Sequence, residues 1–146
     1  MGKDIQTFIT RSEAETLALG QKIGQALEPG TAISLEGDLG TGKTALTKGI
    51  ALSLGITEPI TSPTFTLVNT YEGTMTLHHF DVYRVEDAEE LYTIGWEEYF
   101  SEETITVIEW GNLFPELLPP ETLHIKLSRQ GNDSESRIIT IERQVM

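Results

Sequence analysis

The sequence predicts an α/β domain of three layers: a mixed, mostly parallel sheet with antiparallel hairpins and helices on both faces. Three observations predict it. Apolar runs of strand length alternate with stretches of helical period along the chain. A glycine-rich segment, Gly37-Asp38-Leu39-Gly40-Thr41-Gly42-Lys43-Thr44, joins an apolar run directly to a helical pattern. Two pairs of apolar runs are each separated by a short polar turn, which reads as hairpins. The glycine-rich segment has the full G-x-x-x-x-G-K-[ST] spacing, so the sandwich is expected to be of the P-loop NTPase kind.

Gln6-Thr7-Phe8-Ile9 reads as a short strand. Ser12 and Glu15 have the spacing of a capping box for a helix carried by Leu17, Ala18, Ile23 and Leu27 and stopped by Pro29-Gly30. The strand 31–36 follows, then the glycine-rich loop. The next helix starts near Lys43, carries Leu46, Ile50 and Leu54 on one face, and ends at Gly55. Pro59 and Pro63 deny helical hydrogen bonds to 57–65, which is expected to be a loop. Residues 66–71 and 75–84 form a hairpin about Glu72-Gly73-Thr74, and short acidic helices occupy 87–100. The buried strand 105–108 ends in Glu109-Trp110-Gly111, a helical turn spans 113–117, and strands at about 122–128 and 136–142 close the chain. No repeat or linker interrupts 1–146, so one domain is expected.

Composition narrows the chemistry. With no cysteine among 146 residues there is no disulfide, thiolate metal site or cysteine nucleophile. No apolar run is long enough to cross a membrane, and Met1-Gly2-Lys3-Asp4 opens no signal core, so a cytoplasmic protein is expected. Ten Lys and Arg against 23 Asp and Glu give a net charge of −13, which repels phosphate backbones and argues against direct nucleic-acid binding. Eight carboxylates between Glu86 and Glu103, with no Lys or Arg among them, read as a solvated helical face, with docking on a basic partner as the alternative.

The glycine-rich loop carries the chemistry. Glycines let the backbone curl into a nest of N–H groups around phosphate oxygens, and the following helix adds the positive end of its dipole. Lys43 then reaches the β- and γ-phosphates, and the Thr44 hydroxyl ligates the Mg²⁺ that bridges them. The loop residues Gly37, Asp38, Leu39, Gly40, Thr41, Gly42, Lys43 and Thr44 are therefore the candidate nucleotide cradle. The next residue is Ala45, so position 45 supplies no second threonine hydroxyl and is given no ligand role. Such a cradle needs acidic partners at strand ends. Glu109 ends the apolar run 105–108 and is suited to bind Mg²⁺ or orient the attacking water; the plainer alternative is an ordinary strand-end carboxylate. Asp81 ends His78-His79-Phe80-Asp81 and shares a strand face with Leu77, His79 and Tyr83, where a carboxylate needs a partner or a cation. Adjacent His78 and His79 point opposite ways, and both are read as structural. Thr61-Ser62-Pro63-Thr64-Phe65 is either a proline turn or a loop that orders around the γ-phosphate. Arg137 is either a strand-face ion pair or a positive group near the phosphates.

Taken together, the loop 37–44, Ser62-Pro63-Thr64-Phe65, His79-x-Asp81-x-Tyr83-Arg84 and Glu109-Trp110 resemble the bacterial TsaE (YjeE) family, in order and over nearly the whole chain. The resemblance implies a small ATPase required for threonylcarbamoyladenosine formation in tRNA, with TsaD and TsaB as partners and ATP and Mg²⁺ at the site. It also implies that Lys43 and Thr44 contact phosphates and metal, that Glu109 and Asp81 organise metal and water, that Thr64 belongs to a switch-like loop, and that Trp110 sits beside the site. Thr10 and Arg11 are expected on the base side of the nucleotide. One departure is local: Gly111-Asn112 stands where members often have a further acidic residue.

Three functions are compatible with such a site: a regulatory ATPase, a small-molecule kinase and a nucleotide-binding scaffold. After Glu109 the only arginines are Arg129, Arg137 and Arg143, without the cluster a kinase lid commonly uses. No Asn/Thr-Lys-x-Asp guanine motif occurs, and no Asp-x-x-Gly follows the loop, which disfavours GTP. The ATPase is the reading that absorbs Thr44, Asp81 and Glu109 together.

Overall fold

Strand β1 (Gly2–Thr10) turns through Arg11 and Ser12 into helix α1 (Glu13–Ala26). The Ser12 side chain accepts from the Glu15 N–H at 3.1 Å, and the Glu15 carboxylate accepts from the Arg11 N–H at 3.0 Å. The cap is thus reciprocal but reaches one residue further back than a standard box. The chain continues through β2 (Ala32–Glu36), α2 (Lys43–Ser53), β3 (Val68–Tyr71), β4 (Thr76–Asp81), α3 (Ala88–Thr93), β5 (Thr104–Glu109), β6 (Leu123–Arg129) and β7 (Arg137–Val145). Short 3₁₀ turns at Trp96–Tyr99, Gly111–Leu113 and Pro115–Leu117 complete the order. This computed structural model describes residues 2–38, 40–63, 66–101, 103–132 and 135–145.

The strands form one sheet in the order β1-β7-β6-β2-β5-β4-β3. Its centre, β6-β2-β5-β4, is parallel, while β1, β7 and β3 join antiparallel at the margins. The mixed sheet and both expected hairpins are therefore present. β1 is longer than the four residues its apolar content suggests. It pairs with β7 residue for residue from Gly2↔Val145 to Thr10↔Arg137, so backbone pairing extends a strand that hydropathy alone cuts short.

Two apolar layers cover the sheet. On one face Ile33, Leu35, Leu77, Ile105, Val107 and Ile125 pack under Ile23, Leu46 and Ile50 of α1 and α2. On the other, Phe80 and Ile108 pack with Leu91, Trp96 and partly buried Tyr99 and Phe100. There the Phe80 ring meets Trp96 and Tyr99 edge-on, each with centroids 4.9 Å apart. The acidic segment sits over this second layer with Glu89, Glu90, Glu97 and Glu98 exposed, as a solvated face should be. Asp87 and Glu90 cap α3 reciprocally, so part of the acidic run serves to start that helix.

The buried face of α1 differs from expectation. Thr16, Leu19, Gly20, Ile23 and Gly24 face inward, whereas Ala18 is exposed. The reason is a glycine crossing. A Cβ on Gly49 of α2 would lie 2.9 Å from the Gly20 Cα and collide with the Leu17 carbonyl oxygen. Backbone touches backbone here, a contact that a search for large apolar side chains does not register.

Candidate functional site

Everything chemical converges at the C-terminal ends of the parallel strands, where open α/β sheets bind ligands. The loop after β2 turns into α2 through Gly40 (φ 79°) and Gly42 (φ 102°), left-handed positions that a side chain would strain. Thr41 steadies the loop by donating its hydroxyl to the Asp38 carbonyl at 2.7 Å. Arg137 grips it from outside: its Nε donates to the Thr41 carbonyl at 3.1 Å and a terminal nitrogen to the Gly40 carbonyl at 3.0 Å. Holding carbonyls outward is the condition for N–H groups to face inward. Arg137 also lines the cavity, where the sequence offers it either as a strand-face ion pair or as a positive group near the phosphates.

That cavity has a volume of about 760 Å³, enough for a nucleotide, and its wall includes Gly40, Lys43, Thr44, Asp81, Glu109 and Trp110. Asp81 and Glu109 are paired in register at the ends of β4 and β5, on the same face and one strand spacing apart, about 4.8 Å. Asp81 turns the chain after β4 by accepting from the Tyr83 N–H at 3.0 Å. Glu109 is 4% exposed and held from two sides. Its Oε2 is 2.6 Å from His79 Nε2, and its Oε1 is 3.6 Å from Lys43 Nζ. Burial pushes the Glu109 carboxyl up, but the His79 hydrogen bond and attraction to His79 and Lys43 outweigh it, so the group lies below the ordinary carboxylate range.

Lys43 has a second neighbour. Its Nζ lies 4.4 Å from the centre of the Trp110 ring, a cation–π contact. Trp110 reaches this place through a left-handed backbone (φ 64°), a conformation costing about 1–3 kcal/mol for a bulky residue. Its backbone N–H donates to the Leu35 carbonyl at 2.7 Å and its ring meets Tyr83 at 5.2 Å, which together hold the turn. Next in the chain, a Cβ on Gly111 would stand 2.7 Å from Ser34 Oγ, so a larger residue there would have to push the Ser34 side chain aside.

The fold brings most of the sequence-derived candidates to one cavity. Asp38, Gly40, Gly42, Lys43, Thr44, Asp81, Glu109 and Arg137 all line the cavity, with Ser62 from the loop before β3. Ala45, which the sequence leaves without a ligand role, also borders the cavity; it is a buried residue in the first turn of α2 whose methyl carries no polar atom. Gly37 and Thr41 are not in the cavity lining, and Thr41 acts on the loop through its bond to the Asp38 carbonyl. Leu39, Thr64 and Phe65 lie outside the described residues. Thr10 and Arg11 do not line the cavity; the buried Thr10 hydroxyl bonds the Thr16 hydroxyl at 2.7 Å, and Thr16 and Glu13 form that wall instead. His79, structural by its sequence context, touches the site carboxylate directly. The signal for it in the sequence is its shared strand face with Asp81.

A metal ion fits only in company. Among the described residues no three acidic or histidine side chains gather closely enough to chelate one unaided. Mg²⁺ commonly takes one or two carboxylates and completes its shell with water and substrate phosphates, which suits Thr44, Asp81 and Glu109 beside a phosphate cradle.

The family model described as "Threonylcarbamoyl adenosine biosynthesis protein TsaE" matches residues 10–139. The chain belongs to the TsaE family. Among relatives named tRNA threonylcarbamoyladenosine biosynthesis protein TsaE, that of Bacillus subtilis is 42% identical over 90% of this chain and 82% of its own length. That of Treponema pallidum is 44% identical over 82% of this chain and 88% of its own. That of Nostoc is 49% identical over 91% and 83%. The crystal structure titled as Bacillus subtilis YdiB superposes with a TM-score of 0.83 at 36% identity, covering 98% of this chain and 88% of that one. The TsaE family takes part in tRNA threonylcarbamoyladenosine biosynthesis, and no helix among the described residues is long and apolar enough to cross a membrane.

Proposed function

We propose that this TsaE-family chain binds ATP with Mg²⁺ and hydrolyses it to drive or reset a TsaD–TsaB complex that modifies tRNA. The observation that carries the reading is the placement of Lys43, Asp81 and Glu109 around one cavity at the ends of β2, β4 and β5. Loop N–H groups and Lys43 bind the phosphates, and Trp110 limits where the Lys43 ammonium can go. The Thr44 hydroxyl, Asp81 and Glu109 would hold Mg²⁺, which when bound neutralises charge on the β- and γ-phosphates. Glu109, kept ionised by its neighbours, orients the attacking water or accepts its proton. The charge of −13 leaves tRNA to be handled by the partners.

ATP hydrolysis by the chain alone, compared with the chain mixed with TsaD and TsaB, tests the reading. Slow turnover alone and marked stimulation in the mixture are expected, together with loss of tRNA modification in Lys43→Ala and Glu109→Ala. Full modification by either variant, or no hydrolysis in the mixture, sinks the proposal.

A further inference from the structure

We infer that His79 is a positioning residue for the site carboxylate, fixing which Glu109 oxygen faces the cavity; the inference rests on the hydrolytic reading given above. The geometry is specific. His79 is fully buried, on the same face of β4 as Asp81 and beside β5, where His79 pairs in register with Val107 two residues before Glu109. Its Nε2 lies 2.6 Å from Glu109 Oε2. A carboxylate can only accept, so the proton of this bond sits on Nε2. The other oxygen, Oε1, is then the one left toward Lys43, at 3.6 Å.

Burial gives the arrangement its purpose. A carboxylate with 4% exposure has little water to hold it, and a glutamate has three side-chain torsions to settle. One short hydrogen bond from a ring packed on every side removes that freedom. Among the described residues His79 Nδ1 has no hydrogen-bond partner, so the imidazole is anchored on its polar side by Glu109 alone. A buried histidine with one nitrogen unmatched is a poor choice for stability and a reasonable one for aiming a carboxylate. Second partners of this kind are commonly worth about 10–100-fold in activity.

Two substitutions separate donor position from mere size. Gln places its amide nitrogen near the site of imidazole Nε2, whereas Asn reaches only as far as Nδ1. ATP turnover and ATP affinity are measured for His79→Gln, His79→Asn, Glu109→Ala and the Asn/Ala double variant, in the presence of the partner proteins. Expected for His79→Asn is a kcat lower by about 10–100-fold with ATP affinity unchanged. Expected for His79→Gln is recovery of most of that loss, and the double variant should be no slower than Glu109→Ala. An active wild type with an equally active His79→Asn overturns the role of His79 and leaves hydrolysis standing. A wild type that binds ATP and never turns it over removes the hydrolytic reading and this role with it. Long-range ¹H–¹⁵N spectra of the wild type supply a measurement independent of any variant. A proton on Nε2 supports the assignment, and a proton on Nδ1 alone overturns it.

Discussion

Lys43 Nζ stands 3.6 Å from Glu109 Oε1, both side chains almost buried, so the ammonium that would attract a phosphate is already neutralised by the carboxylate that would serve catalysis. Nucleotide and Glu109 therefore compete for one lysine. Replacing Glu109 by Gln keeps shape and removes the competitor. Free of Mg²⁺, where Glu109 has no ion to hold, ATP should bind about tenfold more tightly, which is about 1.4 kcal/mol, while turnover with Mg²⁺ falls by about 100-fold or more. Calorimetric titration without Mg²⁺ beside a phosphate-release assay with it reads both, and weakened Mg²⁺-free binding would contradict the competition.

Arg137 spans the Gly40 and Thr41 carbonyls with two separate nitrogens. Lysine cannot reproduce that fork. Arg137→Lys and Arg137→Ala should both weaken ATP binding by about tenfold, roughly the worth of one charged hydrogen bond, with the fold intact by circular dichroism. A lysine variant that binds like wild type would show that charge alone matters here.

Alanine normally stabilises a helix interior over glycine by about 1 kcal/mol. At Gly49 the sign should reverse, because the added methyl meets the backbone of Leu17 and Gly20. Gly49→Ala is expected to cost about 1–3 kcal/mol in urea unfolding. The same is expected of Gly20→Ala, whose methyl would collide with the Leu46 carbonyl oxygen.

His78 faces the opposite layer from His79, edge-on to Tyr99 with centroids 4.9 Å apart and bonded through Nδ1 to the Thr70 hydroxyl. Burial lowers its pKa from 6.5, against a smaller upward pull from Glu72. A histidine whose folded pKa is depressed resists protonation in the native state. Its stability contribution is fully present above pH 6.5 and is lost as pH falls below that toward the folded value. Stability measured from pH 7.5 down to 5 should therefore decline less in His78→Asn than in the wild type.

Local chemistry makes much of this legible in the sequence. The loop 37–44 is readable because phosphate binding demands glycines and lysine at fixed spacing, and Glu109 because an apolar run of strand length must end somewhere. The face of α1 is misread at Ala18 because Gly20 and Gly24 pack without side chains. His79 escapes notice because its partner lies 30 residues away, and strand pairing between β4 and β5 cannot be read from either strand by itself. Arg137 is the extreme case, touching a loop 96 residues earlier through bonds to backbone atoms that carry no residue identity.

The pairing of the first strand with the last has a consequence in time. Arg137 opens β7, and β7 is zipped to β1 along nine residue pairs. As the chain leaves the ribosome, residues 37–44 emerge long before the arginine that braces them. Until 137–145 are free to slot between β1 and β6, the cradle lacks its outer grip and β1 lacks a neighbour. Full competence to hold a nucleotide therefore arrives only once β7 has been made, and nascent chains halted before Arg137 should capture ATP more weakly however much of the central sheet has formed.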